Sequence, residues 1–345
     1  MEESLLQTYL VTGGAGFIGS NMLHFLQRER PGVRTINLDA LAYSGNLRNL
    51  DGLDGSRHRF VKGDICDRAL VTELVGQCDG VLHFAAESHV DRSIQDSSPF
   101  IRTNVLGTQV ILDVLLDAKR SGASKRMLYV STDEVYGSLP LDRPDLKFTE
   151  RTPIDPRSPY AASKAGGDLL CSAYAHTHGL DIVTTRCSNN LGPRQLTEKA
   201  IPLFVTNLLQ GKQIPLYGDG LNVRDWLHVD DHCSAVLAVM ERGRAGEVYN
   251  IGGDNERSNL ELVRAILGIM GHGESMIRYV EDRLGHDRRY AIDATKMHEE
   301  LGWRPTRSAW PDALESTIRW YRENEDWWRS NDHAKIGNSA RSKKG

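Results

Sequence analysis

The chain predicts a doubly wound α/β fold with a parallel sheet, and three observations carry that reading. Short strand-like runs alternate with helix-like stretches along its first half. The first of those strands passes into a helix through a glycine-rich turn. Gly13, Asp39, Asp64, Ala85 and Thr132 each follow a strand-like run, and the carboxyl ends of strands are where such a sheet places its ligands.

Taken in order, TYLVT at 8–12 reads as a short buried strand running into GGAGFIGS, Gly13 to Ser20, and then into an apolar-periodic helix from Asn21 to Leu26. Gly13, Gly16 and Gly19 follow G-x-x-G-x-x-G. That turn lets the backbone approach a pyrophosphate at the positive end of a helix, and its last glycine allows close helix packing. A second strand at 34–38 ends in Asp39, 20 residues beyond Gly19. A carboxylate there accepts hydrogen bonds from an adenosine ribose and repels a 2′-phosphate, which favours NAD over NADP. Strand-like runs at 59–62, 80–84, 126–131 and 181–186 alternate with helix-like stretches near 67–76, 99–120 and 159–178. Residues 1–190 are therefore expected to form a Rossmann-type cofactor domain carrying the catalytic residues, with some later segments returning to it. Beyond it the pattern loosens into Gly- and Pro-containing segments with helices such as 258–270 and 312–328. Residues 191–328 are expected to form a smaller C-terminal α/β substrate-binding portion. The polar, basic tail at 329–345 reads as disordered.

The 345 residues are enough for one large or two ordinary domains. A net charge of −4 and a pI near 6.3 give no sign of a nucleic-acid or membrane-surface binder, although an anionic substrate needs local cations. The five cysteines are odd in number, scattered and free of C-x-x-C spacing, which argues against a disulfide framework or a metal site. MEESLLQT leads straight into the first strand without a signal peptide, and no apolar run approaches membrane-spanning length. A cytoplasmic protein is expected.

The chemistry concentrates in Thr132, Asp133 and Glu134, followed by Tyr160 and Lys164 in the spacing Y-x-x-x-K. Four residues apart on a helix, Tyr160 and Lys164 share a face, so the ammonium can lower the phenol's pKa and help it take a proton from an alcohol. An adjacent acid pair can protonate a leaving hydroxyl and remove a carbon-bound proton, two tasks that plain alcohol oxidation does not require. The set reads as oxidation coupled to elimination. Epimerases and decarboxylases on the same fold need no such pair, so Asp133 and Glu134 discriminate against them. An intact catalytic set also argues against a protein that only binds cofactor and substrate.

GGAGFIGS, GDICD at 63–67, HFAAESHVDRSI at 83–94, STDEVYG at 131–137, SPYAASKAGGD at 158–168, RCSNN at 186–190, LYGDGLNVRDWLHVDDH at 216–232 and GHDRRYAID at 285–293 resemble the extended short-chain dehydrogenase/reductases, most closely the dTDP-glucose 4,6-dehydratases. The resemblance runs from Leu10 to about Trp328. It implies a hydro-lyase that converts dTDP-glucose to its 4-keto-6-deoxy form with regenerated NAD+. Phe17 and Ile18 would lie along the dinucleotide, Asp39 on its ribose, Asp64 and Ile65 near adenine, Ala85, Ala86 and Thr103 beside the cofactor, and Asn190 near the nicotinamide. Ser88, Thr132 and Asn189 would face the hexose. Lys199, Arg224, Asn259, Arg283 and His286 would approach the diphosphate and its ribose, and Tyr217 the base. No metal is implied.

The resemblance also implies a homodimer through a four-helix interface, formed by the stretches near 104–119 and 160–177. Val105, Val110, Leu112, Val114 and Leu115 give the first stretch apolar surface on more than one side. The chain departs from the family pattern at Leu191, Leu196, Thr197, Ala200 and Leu284, in segments implied to line the nucleotide pocket. Another NDP-hexose such as UDP-glucose therefore remains an alternative substrate.

Overall fold

The computed structural model describes residues 8–330. The segment before Thr8 and the tail from residue 331 on lie outside the described residues, and with them the readings of a missing signal peptide and of most of the tail. Strands β1 (Thr8–Thr12), β2 (Arg34–Asp39), β3 (His58–Lys62), β4 (Gly80–His83), β5 (Arg126–Thr132) and β6 (Ile182–Cys187) join Val248–Ile251 in one sheet of seven strands. Every pairing in it is parallel, and the order is 248–251, β6, β5, β4, β1, β2, β3. The strand order reverses between β1 and β4, and the crevice that opens there is where doubly wound sheets bind ligands.

Both faces of the sheet are buried, as its parallel strands require. Along β1, Tyr9 and Val11 point into one core with Met22, Leu23 and Leu26 of helix Phe17–Glu29 and Val236 and Met240 of helix Val229–Arg242. Leu10 points the other way, into a core with Leu74 of helix Arg68–Gly76, Ile111 and Leu115 of helix Thr108–Arg120, and Cys171 of helix Pro159–His178. A third core, around Leu191, Val205, Leu216, Ile266 and Trp328, belongs to the second lobe. It is built on two small sheets of three and two strands and the helices Ala200–Leu209, Asn259–Met270 and Asp312–Glu323.

Two helical stretches differ from expectation. The stretch near 99–120 holds a π-helical segment, Ile101–Gly107, before the regular helix begins at Thr108. Its wide turn lets the buried Asn104 reach the backbone of Glu87 at 2.9 and 3.0 Å and Ser163 Oγ at 2.8 Å. The helix from Asp312 stops at Glu323, because Asn324 leaves helical geometry and turns its N–H and side-chain amide back on the Trp320 carbonyl. A separate helical turn covers 325–330. Among the described residues no helix is long and apolar enough to cross a membrane.

Candidate active site

One cavity of about 390 Å³ opens at the reversal of strand order and extends toward the second lobe. Gly13, Gly16, Phe17, Ile18, Gly19, Asp39, Asp64, Ile65, Ala85, Ala86, Thr103, Tyr160, Lys164 and Asn190 all line it. Gly13 sits at φ +73°, and a Cβ there would lie 2.6 Å from the Ala85 nitrogen, so the turn after β1 can pass the end of β4 only without a side chain. A Cβ on Gly19 would collide with the Gly13 carbonyl oxygen. The helix N-terminus at Phe17 is thereby held against the turn, with no acidic residue in its first turn to oppose an anion. Asp39 is 8 % exposed; Ala15 N–H donates to its Oδ2 at 2.9 Å and Leu41 N–H to its Oδ1 at 2.8 Å. Burial pushes this carboxyl's pKa up, and the two N–H bonds pull it back. The bare cradle over a helix N-terminus, with one carboxylate at the end of β2, fits a dinucleotide.

At the end of β5, Thr132 caps the short 3-10 turn Asp133–Tyr136, its hydroxyl accepting the Glu134 N–H at 3.3 Å. The cap fixes the direction of the two carboxyls that follow it. Thr132 Oγ1 also donates to Asp133 Oδ1 at 3.3 Å, leaving the buried Asp133 Oδ2 without a partner and giving a proton its place there. Burial pushes the Asp133 carboxyl far above the ordinary range, and the neighbouring charges of Glu134 and Asp225 add to it. Glu134 keeps some surface open to the cavity. Burial raises it too, but Arg283, Lys199 and Arg224 act in the opposite direction. Both adjacent carboxyls are pushed up by burial, and the cations that offset this act most on Glu134.

Ser158 caps the helix Pro159–His178, its hydroxyl accepting the Ala161 N–H at 3.1 Å, and this sets Tyr160 and Lys164 on the face that meets β5. Lys164 Nζ donates to the Val130 carbonyl at 2.7 Å and lies 4.3 Å from the centre of the Tyr129 ring. Burial pulls its pKa down to about 8. One expectation is corrected here, because the Tyr160 phenol is pushed up rather than down. Burial dominates, and Glu134 adds to it. Lys164 spends its ammonium on a carbonyl and a ring face, so a phenolate needs further positive charge in the cavity.

Of the residues expected on the substrate side, Ser88, Asn189 and Lys199 line the cavity, and Lys199 Nζ donates to the Ser88 carbonyl at 2.7 Å. Tyr217, Arg224, Asn259, Arg283 and His286 do not line it. They belong to the second lobe, where the Tyr217 and His286 rings meet edge to face at 6.1 Å and Arg224 lies 4.3 Å from the centre of the Tyr290 ring. Asn259 opens a helix, with its N–H on the Asn222 carbonyl at 2.9 Å. His286 Nδ1 is 2.6 Å from Asp282 Oδ1, and burial together with Arg283 brings its pKa down to about 4, so the ring is neutral near pH 7. The departures from the family pattern separate. Leu196 and Ala200 line the cavity, whereas Leu191 is fully buried in the third core and Leu284 is 78 % exposed.

Several cavity residues carry no sequence signal: Tyr43, Arg194, Gln195 and Trp327 line it from loops or distant helices. Beneath the cavity, His232 Nδ1 meets Asn190 Oδ1 at 2.9 Å, while Asn190 Nδ2 donates to the Ser188 carbonyl. The Asn190 oxygen must then accept, which fixes His232 as the Nδ1–H tautomer. The tract RDWLHVDDH could have pointed to His232, but only with the fold in hand.

The chain is similar to several known proteins. The family described as GDP-mannose 4,6 dehydratase matches residues 10–310. A dTDP-glucose 4,6-dehydratase of Streptomyces niveus is 52 % identical over 324 residues, covering 92 % of this chain and 94 % of the relative. The solved structure of DesIV, a dTDP-glucose 4,6-dehydratase of Streptomyces venezuelae with NAD and TYD bound, superposes with a TM-score of 0.89 at 51 % identity, covering 94 % of this chain and 100 % of that one. A dTDP-glucose 4,6-dehydratase of Bacillus anthracis in complex with NAD gives 0.86 at 48 % identity, covering 94 % and 99 %.

Proposed function

The chain belongs to the GDP-mannose 4,6-dehydratase family, and from that premise we propose that it is an NAD-dependent dTDP-glucose 4,6-dehydratase, releasing water and the 4-keto-6-deoxy sugar nucleotide. The observation that carries the reading is the carboxyl pair Asp133 and Glu134, held in one capped turn and set in the same cavity as Tyr160 and Lys164. A simple alcohol dehydrogenase or an epimerase has no use for that pair.

The glycine turn and the Phe17 helix N-terminus would hold the pyrophosphate, Asp39 the adenosine ribose, Asp64 and Ile65 the adenine side, and Asn190 the nicotinamide end. When bound, NAD+ would supply positive charge and a carrier for the hydride that moves from C4 to C6, regenerated in each cycle. Tyr160 Oη takes the proton of the 4-hydroxyl, with Thr132 holding the same oxygen and Lys164 supplying charge on the same helix face. A 4-ketone acidifies the proton at C5, which the Glu134 carboxylate removes and, as C6 receives the hydride, gives back to C5. Asp133 donates its proton to the 6-hydroxyl, which leaves as water. Lys199, Arg224 and Arg283 bring cationic groups toward the diphosphate, where their bonds are charge-assisted, and the same charges offset part of the upward push of burial on Glu134.

Residues 1–190 with the returning segment 229–251 serve the cofactor, and most of 191–328 serves the sugar nucleotide. We assign a homodimer to the helical pair near 104–119 and 160–177. Leu112, Val114 and Leu115 are buried in the chain's own core, so the pairing face is supplied by the exposed Ile101, Leu106 and Leu169. The reaction belongs in the cytoplasm, where sugar nucleotides are substrates.

The test is to incubate the purified protein separately with dTDP-glucose and UDP-glucose, following loss of one water by mass spectrometry and the 4-keto product by NMR. Turnover of dTDP-glucose is expected. Isomerisation without water loss would overturn the roles of Asp133 and Glu134, and dehydration of UDP-glucose alone would overturn the choice of nucleotide.

A further inference from the structure

The helical turn at 325–330 comes from the end of the second lobe, yet it lies against the cofactor end of the cavity. Trp327, 6 % exposed, lines that cavity and stacks edge-on with Trp320 and Tyr321 at 4.9 and 6.3 Å between ring centres. Its indole N–H donates to Asn49 Oδ1 at 2.9 Å. Asn49, 2 % exposed, donates from Nδ2 to the Ala15 carbonyl in the glycine turn at 2.8 Å, and Ala15 N–H donates to Asp39 Oδ2 at 2.9 Å. Only one orientation of the Asn49 amide satisfies both neighbours, since the carbonyl must meet an NH₂ and the indole an oxygen. The hydrogen bonds therefore run unbroken from the last described helix to the turn and the carboxylate that face the dinucleotide.

Three further hydrogen bonds hold this part of the chain in place. Arg48, next to Asn49, donates to the Asp326 carbonyl at 2.7 Å and to Ser330 Oγ at 2.8 Å. Tyr321 Oη donates to the carbonyl of Gln195, a cavity residue.

We propose that this C-terminal helix is a clasp on the cofactor site. In it Trp327 is a positioning residue that, through Asn49, fixes the shape of the glycine turn and Asp39 and so sets how long NAD+ stays bound. The proposal rests on the cofactor reading above and adds to it. A cofactor regenerated at every turnover need not leave, so slow release is compatible with fast chemistry.

The experiment compares parent, W327F, N49A, the double variant and W320F, each loaded with NAD+ and chased with excess labelled NAD+ to read the release rate. W327F keeps a ring and removes the N–H; N49A removes both bonds of the amide. Either substitution leaves a buried polar group unpaired, so release is expected to quicken on the order of tenfold or more. The double variant should release no faster than the faster single one, because both break the same chain. W320F, which touches only the aromatic stack, should release at the parent rate. KM for the sugar nucleotide, measured at saturating NAD+, should stay at the parent value. Parent-like release from W327F alongside a lowered melting temperature would overturn the clasp, since Trp327 would then be structural only. Additive effects in the double variant would overturn the route through Asn49. A parent that takes up no NAD+ would overturn the cofactor reading itself, and the clasp with it.

Discussion

The cofactor side and the sugar-nucleotide side of this cavity are built on different plans. On the first, backbone does most of the work: a turn that tolerates no Cβ at Gly13 or Gly19, a helix N-terminus at Phe17, and a carboxylate at the end of β2. On the second, the working groups are long side chains that converge from distant segments. Lys199, Arg224 and Arg283 come from a loop before one helix, a strand and a later loop, yet all three act on Glu134. A site made from backbone tolerates little change in residue type, whereas a site made from converging side chains can be retuned one residue at a time.

The largest expected effect falls where the two plans meet, at the turn after β5. Asp133→Asn and Glu134→Gln should each lower formation of the 4-keto-6-deoxy product by about 10² to 10⁴-fold, the usual worth of a positioned acid or base. With the sugar nucleotide added, Glu134→Gln should still develop the absorbance of reduced nicotinamide while releasing no water. Normal product from that variant would remove Glu134 from the mechanism and break the division between the two sides.

The next effect is on folding rather than chemistry. Arg186 and Asp168 form a bidentate pair at 2.8 and 2.9 Å with side chains 6 % and 2 % exposed, joining β6 to the helix of Tyr160 and Lys164, and Arg186 also reaches the Tyr136 hydroxyl at 3.0 Å. Asp168→Asn leaves a buried guanidinium without its charge partner and should cost about 3–5 kcal/mol. Urea denaturation reads this directly. A loss below about 1 kcal/mol, the scale of an exposed pair, would mean that the catalytic helix is held by packing alone.

These two regions were not equally legible in the sequence. The glycine spacing, Asp39, STDE and Y-x-x-x-K were readable because each is a local pattern whose geometry follows from one turn or one helix. The edges of β3 to β6 fell within a residue or two for the same reason. The π-helical segment at Ile101–Gly107 was not readable: it follows from long-range bonds of Asn104 to Glu87 and Ser163. Trp327 and His232 were hidden likewise, since their partners Asn49 and Asn190 lie 278 and 42 residues away. The upward shift of Tyr160 came from burial among carboxyls, a property of the assembled site.

The pH dependence sharpens the contrast, because it depends on the converging charges. Glu134 works ionised and its pKa is raised, so kcat should fall as pH drops through a value above that of an ordinary glutamate. Lys164 works charged with a pKa near about 8, so kcat should fall again as pH rises past it. Asp133 is pushed up by burial and by the charges of Glu134 and Asp225. Replacing Arg283 with Gln removes the largest charge that favours ionised Glu134, and the acidic limb of kcat should move to higher pH. A limb that does not move would show that Glu134 is tuned by something other than these cations.

The smallest effects should come from the departures, and they test which side of the cavity tolerates retuning. Leu196 lines the cavity, so Leu196→Phe adds volume beside the substrate. A change of that size in a closed pocket is worth about 1–3 kcal/mol, enough to change the ratio of kcat/KM for dTDP-glucose over UDP-glucose by about tenfold. Leu284, at 78 % exposure, has little to touch. Leu284→Pro should leave that ratio within about twofold, as surface changes of under about 0.5 kcal/mol do. If the order were reversed, with Leu284→Pro the stronger of the two, the loop that carries Arg283 would be setting specificity through its backbone. The sugar-nucleotide side would then follow the same plan as the cofactor side.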